Sequence, residues 1–181
     1  MLIDGEPLDH YKQRSLRRQM GIVPQEGFLF SGTIAENISF GRPDAMIDEI
    51  AAAAESVGAT PFIDRLPDGL ETQVGERGVQ LSSGQRQLVA FARIILTEPR
   101  ILILDEATSS VDTQTERTIE SAMDRLLSGR TAVIIAHRLS TIRRADRIVV
   151  LDHGRIVETG SHDELIAADG YYGKLYSAWV S

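Results

Sequence analysis

Ile101-Leu102-Ile103-Leu104-Asp105-Glu106 is the stretch that decides the fold. Four consecutive aliphatic residues read as a short strand buried on both faces, the pattern of a parallel sheet covered by helices on each side. The two carboxylates that follow stand at the C-terminal end of that strand, where open α/β sheets bind their ligands. There an aspartate can hold a hard divalent cation through water, and a glutamate can polarise a water for attack on phosphorus. The plainer alternative is a helix-capping pair at a strand exit.

Working outward, Leu81-Ser82-Ser83-Gly84-Gln85 lies upstream and opens a helix carrying Leu88, Val89, Phe91, Ala92, Ile94 and Ile95. Such a hydroxyl-rich turn can grip an anion with backbone N–H groups and serine hydroxyls. A serine N-cap alone would look the same. Downstream, Asp112 in Thr108-Ser109-Ser110-Val111-Asp112 reads as an N-cap for a helix over residues 114–127. Ile119, Met123 and Leu126, with Ala122 beside them, share one face of that helix. A second buried strand covers 131–136 and ends at His137; a third, Gly21-Ile22-Val23, is ended by Pro24 and followed by Gln25. Taken singly, His137 is a structural histidine and Gln25 a surface glutamine. His10, His153 and His162 carry the structural reading as well.

The pattern predicts one domain over residues 1–181 of alternating α/β character, with a helical lobe over 25–96 inserted in it. Met1 leads straight into Leu2-Ile3-Asp4-Gly5, a strand running into a turn, so truncation at the N-terminus is expected. The strand at 101–104 is then expected to lose sheet neighbours. Ser15 is expected to open one helical turn, Thr33 to cap a helix, and residues 44–57 to be helical, with turns at Pro61 and at Pro67-Asp68-Gly69. Residues 147–151 and 155–158 predict a hairpin through His153-Gly154. Ser161-His162-Asp163-Glu164 has capping-box spacing before a short helix, and a last helix follows Gly170.

Composition narrows the function classes. The 181 residues are 43% hydrophobic, enough to bury a sizeable core. A net charge of −7 argues against a mainly electrostatic grip on nucleic acid, so no nucleic-acid partner is expected. Arg14, Arg17 and Arg18 form the densest basic cluster and read as a solvated helix face. The lack of cysteine excludes disulfide and thiol chemistry. No apolar run approaches the ~18–20 residues that cross a bilayer. The chain is expected to be soluble by itself, with any membrane link made through a partner or through sequence it does not contain.

One motif is missing. A phosphate-binding P-loop reads G-x-x-x-x-G-K-[ST]. The two lysines are Lys12, which follows Tyr11, and Lys174, which follows Gly173 but precedes Leu175 and has Ala168 in place of the first glycine.

Assembled, these segments resemble the C-terminal part of an ABC transporter nucleotide-binding domain along essentially the whole chain. Ile22-Val23-Pro24-Gln25 is similar to the Q-loop, residues 81–85 to the signature motif, residues 101–106 to Walker B, Ser109-Ser110-Val111-Asp112 to the D-loop, and Ile135-Ala136-His137-Arg138 to the switch histidine. Phe28-Leu29-Phe30-Ser31-Gly32-Thr33-Ile34 with Glu36-Asn37-Ile38, and residues 72–78 as an X-loop that touches membrane domains, resemble multidrug and lipid exporters. Ser83 replaces the first glycine of the commoner signature, and Gln73 stands where the family often has glutamate. Walker A and the aromatic that stacks on adenine are missing.

The resemblance implies a mostly parallel P-loop NTPase-like sheet flanked by helices, with ATP and Mg²⁺ as ligands. It implies Glu106 as general base and His137 as a γ-phosphate contact. Asp105 and Gln25 would hold Mg²⁺; Ser82, Ser83, Gly84, Gln85 and Asp112 would contact nucleotide. The implied partners are the transmembrane domain of an exporter and a second nucleotide-binding domain, in a homo- or heterodimer, at the cytoplasmic face of the membrane. Without Walker A, the isolated chain is expected not to be a competent ATPase. The other readings are a non-catalytic or regulatory fragment that lends its signature in trans, and a soluble ABC ATPase outside transport.

Overall fold

The structure is a computed structural model that describes residues 2–25, 27–75, 78, 80–105 and 113–180. Glu106 and Asp112 therefore lie outside the described residues. The chain divides into two compact units, Met1–Ile135 and Ala136–Ser181.

The first unit opens with a hairpin, β1 (Leu2–Ile3) and β2 (Glu6–Pro7), turned by Asp4 and Gly5 at φ +50° and +83°. Then come α1 (Gln13–Arg18), β3 (Met20–Val23), β4 (Gly32–Thr33), α2 (Ile34–Ser39), α3 (Ile47–Ser56), α4 (Thr60–Ile63) and β5 (Gln73–Val74). The unit closes with α5 (Ser83–Thr97), β6 (Ile101–Asp105), α6 (Thr113–Leu127) and β7 (Thr131–Ile135). The strands at 21–23, 101–105 and 131–135 form one parallel sheet in the order β3-β6-β7. The mixed α/β class with a parallel sheet is as the sequence predicts.

Several local expectations are corrected. β6 is the central strand, paired on both sides, so it has not lost its neighbours. It is not covered on both faces either. Leu102 and Leu104 are buried in a core shared with α5 and α6. On the opposite face, Ile22, Val133 and Ile135 stay more than half exposed, because the described helices that join these strands return over the Leu102–Leu104 side. α1 starts at Gln13, not at Ser15, since the Lys12 carbonyl already accepts from Ser15 and Leu16 N–H. α3 starts at Ile47, because residues 42–45 are taken up by a turn closed by Ala45 N–H to Arg42 O. Pro61 lies inside the first turn of α4, where its missing N–H costs nothing.

The described residues of the predicted lobe, 25–96, are mainly helical, and their strands are the short antiparallel pair β4-β5. Thr33 caps α2 through a capping box: its side chain accepts from Glu36 N–H, and the Glu36 carboxylate accepts from Thr33 N–H at 2.8 Å. Buried Asn37 fills its hydrogen-bonding capacity. Its amide donates to the Phe30 and Thr33 carbonyls, and its oxygen accepts from Phe30 N–H and from Arg93. Arg93, on α5, also donates to the Asn37 and Phe28 carbonyls and lies over the Phe30 and Phe40 rings at 5.5 and 5.8 Å. Burial draws its pKa below the ordinary arginine value. The guanidinium thus ties segment 28–40 to α5.

The second unit holds α7 (Leu139–Arg144), β8 (Ile148–Asp152), β9 (Arg155–Gly160), α8 (His162–Ala167) and α9 (Tyr171–Val180). The hairpin turns at His153 and Gly154, both at positive φ, and the Ser161–Glu164 capping box forms as its spacing predicts. The Glu158 carboxylate caps α9 by accepting from Tyr171 and Tyr172 N–H.

Candidate functional site

Sheet register brings two of the predicted residues to one edge. β3 pairs β6 in parallel with Val23 opposite Leu104, so both strands end on the same side of the sheet. Asp105 closes β6, half-buried and opposite Ile135 of β7. Gln25 follows Val23 by two residues, past the strand-ending Pro24, and is exposed. A carboxylate and an amide thus stand at neighbouring strand ends. Three parallel strands end here, and their carbonyl ends make this the ligand edge of such a sheet. His137 follows Ile135 by two residues along the chain and is an exposed residue of the second unit.

Residues 82–85 make the start of α5. The Ser82 hydroxyl accepts from Gln85 N–H at 3.2 Å, and the Gln85 side chain accepts from Ser82 N–H at 2.9 Å. This reciprocal cap fixes the first turn. The N–H groups of Ser83 and Gly84, within that turn, have no intrahelical acceptor and add to the positive end of a 15-residue helix. The serine cap and the anion-binding turn are therefore compatible readings of the same residues.

The loop after Gln25 reaches this turn. A Cβ on Gly27 would fall 2.7 Å from the backbone carbon of Arg86 and 2.8 Å from its oxygen, so only glycine lets the two backbones approach. On the other side of Arg86, Gly78 sits at φ +62°, where a Cβ would meet the side chains of Leu29 and Arg86. Gly27, Gly78 and Arg86 thus link the Gln25 loop, the 72–78 segment and the signature turn. Sequence reading missed the first and third, and their only signal was a glycine two residues past Gln25.

Among the described residues, no group of three or more His, Asp or Glu side chains gathers to hold a metal. A carboxylate with an amide oxygen suits Mg²⁺, which takes one or two protein oxygens and completes its shell with water and phosphate oxygens. Among the same residues, no helix is long and apolar enough to cross a membrane.

The ABC transporter family profile matches residues 1–109, which include Gln25, the signature turn and the Asp105-Glu106 pair. The chain belongs to the ABC transporter family. It is 57% identical over 179 residues to the uncharacterized ABC transporter ATP-binding protein YknV of Bacillus subtilis, covering 99% of this chain and 30% of that protein. It is 53% identical over 174 residues to an ATP-dependent lipid A-core flippase of Legionella pneumophila, covering 96% of this chain and 30% of the flippase. In three dimensions it is similar to a bacterial Atm1-family ABC exporter with ATP bound, at a TM-score of 0.88 and 48% identity, over 99% of this chain and 32% of the exporter. The chain thus spans about a third of the length of these relatives. It is an ABC transporter ATP-binding domain whose relatives are exporters, and it shares their mixed α/β fold.

Proposed function

We propose that this chain is the ATP-hydrolysing part of an ABC exporter, acting in a head-to-tail pair of nucleotide-binding domains. What carries the reading is the single edge shared by Gln25 and Asp105, with the signature turn tied to the Gln25 loop at Gly27. Asp105 and Gln25 would hold Mg²⁺, which supplies charge neutralisation on the phosphates. Glu106, next to Asp105, takes a proton from the attacking water as general base. His137 contacts the γ-phosphate and holds the closed pair together. Ser82, Ser83, Gly84 and Gln85 present the α5 N-terminus to the nucleotide bound by the opposite protomer, where aligned amides favour an anion. Asp112, in the segment similar to the D-loop, contacts nucleotide in this reading. Transmembrane domains docked on the lobe take up the movement, which places the ATPase at the cytoplasmic face of the membrane.

In this reading the chain carries base, metal and trans-acting groups but not the P-loop that cradles phosphate. The trans contribution is therefore the one it can make without further sequence. Mixing the chain with a complete partner domain whose own signature is disabled, and measuring phosphate release, tests it. Release above that of the partner alone is expected, and Gly84→Asp in this chain should remove the gain, since a carboxylate there repels the γ-phosphate. Equal rates with and without Gly84→Asp would end the trans-signature reading.

A further inference from the structure

Among the described residues, Val150, Leu165 and Tyr172 make the buried core of the second unit, with Ile142, Ile148 and Tyr176 partly buried around them. Tyr172 is the buried side chain that α9 brings to that core, since the helix's other buried position is Gly173. A tyrosine in so small a core needs an acceptor for its hydroxyl proton. The Tyr172 hydroxyl lies 2.7 Å from Nδ1 of His162, the first residue of α8, and has no other hydrogen-bond partner among the described residues.

Burial holds the pKa of that hydroxyl above the ordinary tyrosine value, with Tyr176 adding to the rise and Arg143 opposing it, so Tyr172 keeps its proton and donates. Nδ1 of His162 is therefore the acceptor, on a neutral ring whose proton sits on Nε2. A second proton on the ring turns Nδ1 into a donor. The hydroxyl oxygen can then accept from it, but the hydroxyl's own proton is stranded in the core. The groups around the pair do not offset this. Arg143 of α7, close enough to act on the Tyr172 hydroxyl, repels a further positive charge. Glu158 of β9 is committed to the N–H groups of Tyr171 and Tyr172, and Glu164 of α8 to Ser161 N–H. Tyr176 contributes a ring 5.0 Å from the imidazole and tilted by 60°. Asp163, Arg155 and Lys174, on α8, β9 and α9, are exposed, and none of them is paired with His162.

We infer that the His162–Tyr172 hydrogen bond is an acid-sensitive latch, which holds α9 on the second unit while the imidazole is neutral and releases it when the ring is protonated. The released state takes up the proton, so docking is complete above the ordinary imidazole range, about pH 6.5, and weakens as pH falls through it. Glutamates ordinarily titrate about two units lower, so loss of the Glu158 cap does not mimic the effect in that window. The latch involves neither the Asp105 edge nor the signature turn and stands independently of the ATPase reading.

The test is amide hydrogen exchange of the purified chain, followed by mass spectrometry from about pH 7.5 to about pH 5.5. Protection at residues 171–180, taken relative to the intrinsic exchange rate at each pH, is expected to fall about tenfold across that range, about 1.4 kcal/mol. Protection of α5 in the first unit is the reference and is expected to hold. His162→Asn keeps an acceptor oxygen near the Nδ1 position but takes up no proton, so it should remove the pH dependence whatever it does to the level of protection. Tyr172→Phe keeps the ring and removes the donor, and it should flatten the profile as well. A side chain that merely packs would change the level and leave the slope. Flat protection in the parent, or a tenfold fall that survives either variant, overturns the proposal. So does an equal fall in α5, which would mark acid unfolding of the whole chain. Should both variants lose their circular dichroism, nitrogen-15 spectra of the histidine rings in the parent decide. A His162 ring protonated at Nε2 and not at Nδ1 near neutral pH supports the latch, and the reverse refutes it.

Discussion

Glu106→Gln is expected to abolish ATP turnover while leaving ATP binding within a few-fold of the parent. The measurement needs a single polypeptide in which a segment bearing Walker A precedes this chain. The amide keeps the size of the side chain and most of its hydrogen bonds, but it cannot accept a proton from the attacking water. Loss of a general base lowers rates by about 10²–10⁴-fold. Asp105 closes the central strand at the sheet's ligand edge, and Glu106 is the next residue in the chain. Phosphate release measured alongside nucleotide binding separates the two effects. If the Gln variant turns over within a few-fold of the parent, another group is the base.

Asn37→Leu is expected to be the most damaging single change inside the folded lobe, at roughly 2–4 kcal/mol. Leucine has as many side-chain heavy atoms as asparagine and is no smaller, so the cost does not come from a cavity. It comes from the Phe30 and Thr33 carbonyls and Phe30 N–H, which lose their partner, and from Arg93, which loses one of its acceptors. Each buried group left unsatisfied costs about 1–3 kcal/mol, and those at Phe30 are partly open to water. Against a typical domain stability of about 5–15 kcal/mol, this is a large share. Urea unfolding followed by circular dichroism reads the shift in midpoint. A variant that unfolds with the parent would mean that the Asn37–Arg93 link contributes nothing to stability.

Features determined by a few adjacent residues were legible in the chain. Ile101-Leu102-Ile103-Leu104 announced the central strand, and Thr33/Glu36 and Ser161/Glu164 announced capped helices, because each pattern closes within one turn or one strand. Gln25, a surface glutamine when taken singly, was joined to Asp105 only through the family resemblance, and the parallel pairing of β3 with β6 brings the two strand ends to one edge. What could not be read was set by distant partners. Arg93 takes its meaning from carbonyls 56 and 65 residues away, and Gly27 from the backbone of Arg86. The starts of α1 and α3 were misplaced for a different reason, since backbone turns at Lys12 and at residues 42–45 settle them and no side chain announces either. The four aliphatics of β6 could not reveal that only one sheet face is covered, since an apolar run looks the same with one helical layer or two.

The central claim is that this chain holds catalytic and trans-acting groups of an ABC ATPase without its phosphate cradle. Titrating the purified chain with a fluorescent ATP analogue and Mg²⁺ tests it most directly. The P-loop lysine and its nest of amides are charge-assisted contacts worth about 1.5–3 kcal/mol each. The account therefore predicts binding at least about a hundred-fold weaker than that of the polypeptide carrying Walker A, at ~1.4 kcal/mol per decade. A micromolar dissociation constant that survives alanine at Gln25, Ser82, Ser83, Gln85, Asp105 and Glu106 would contradict it.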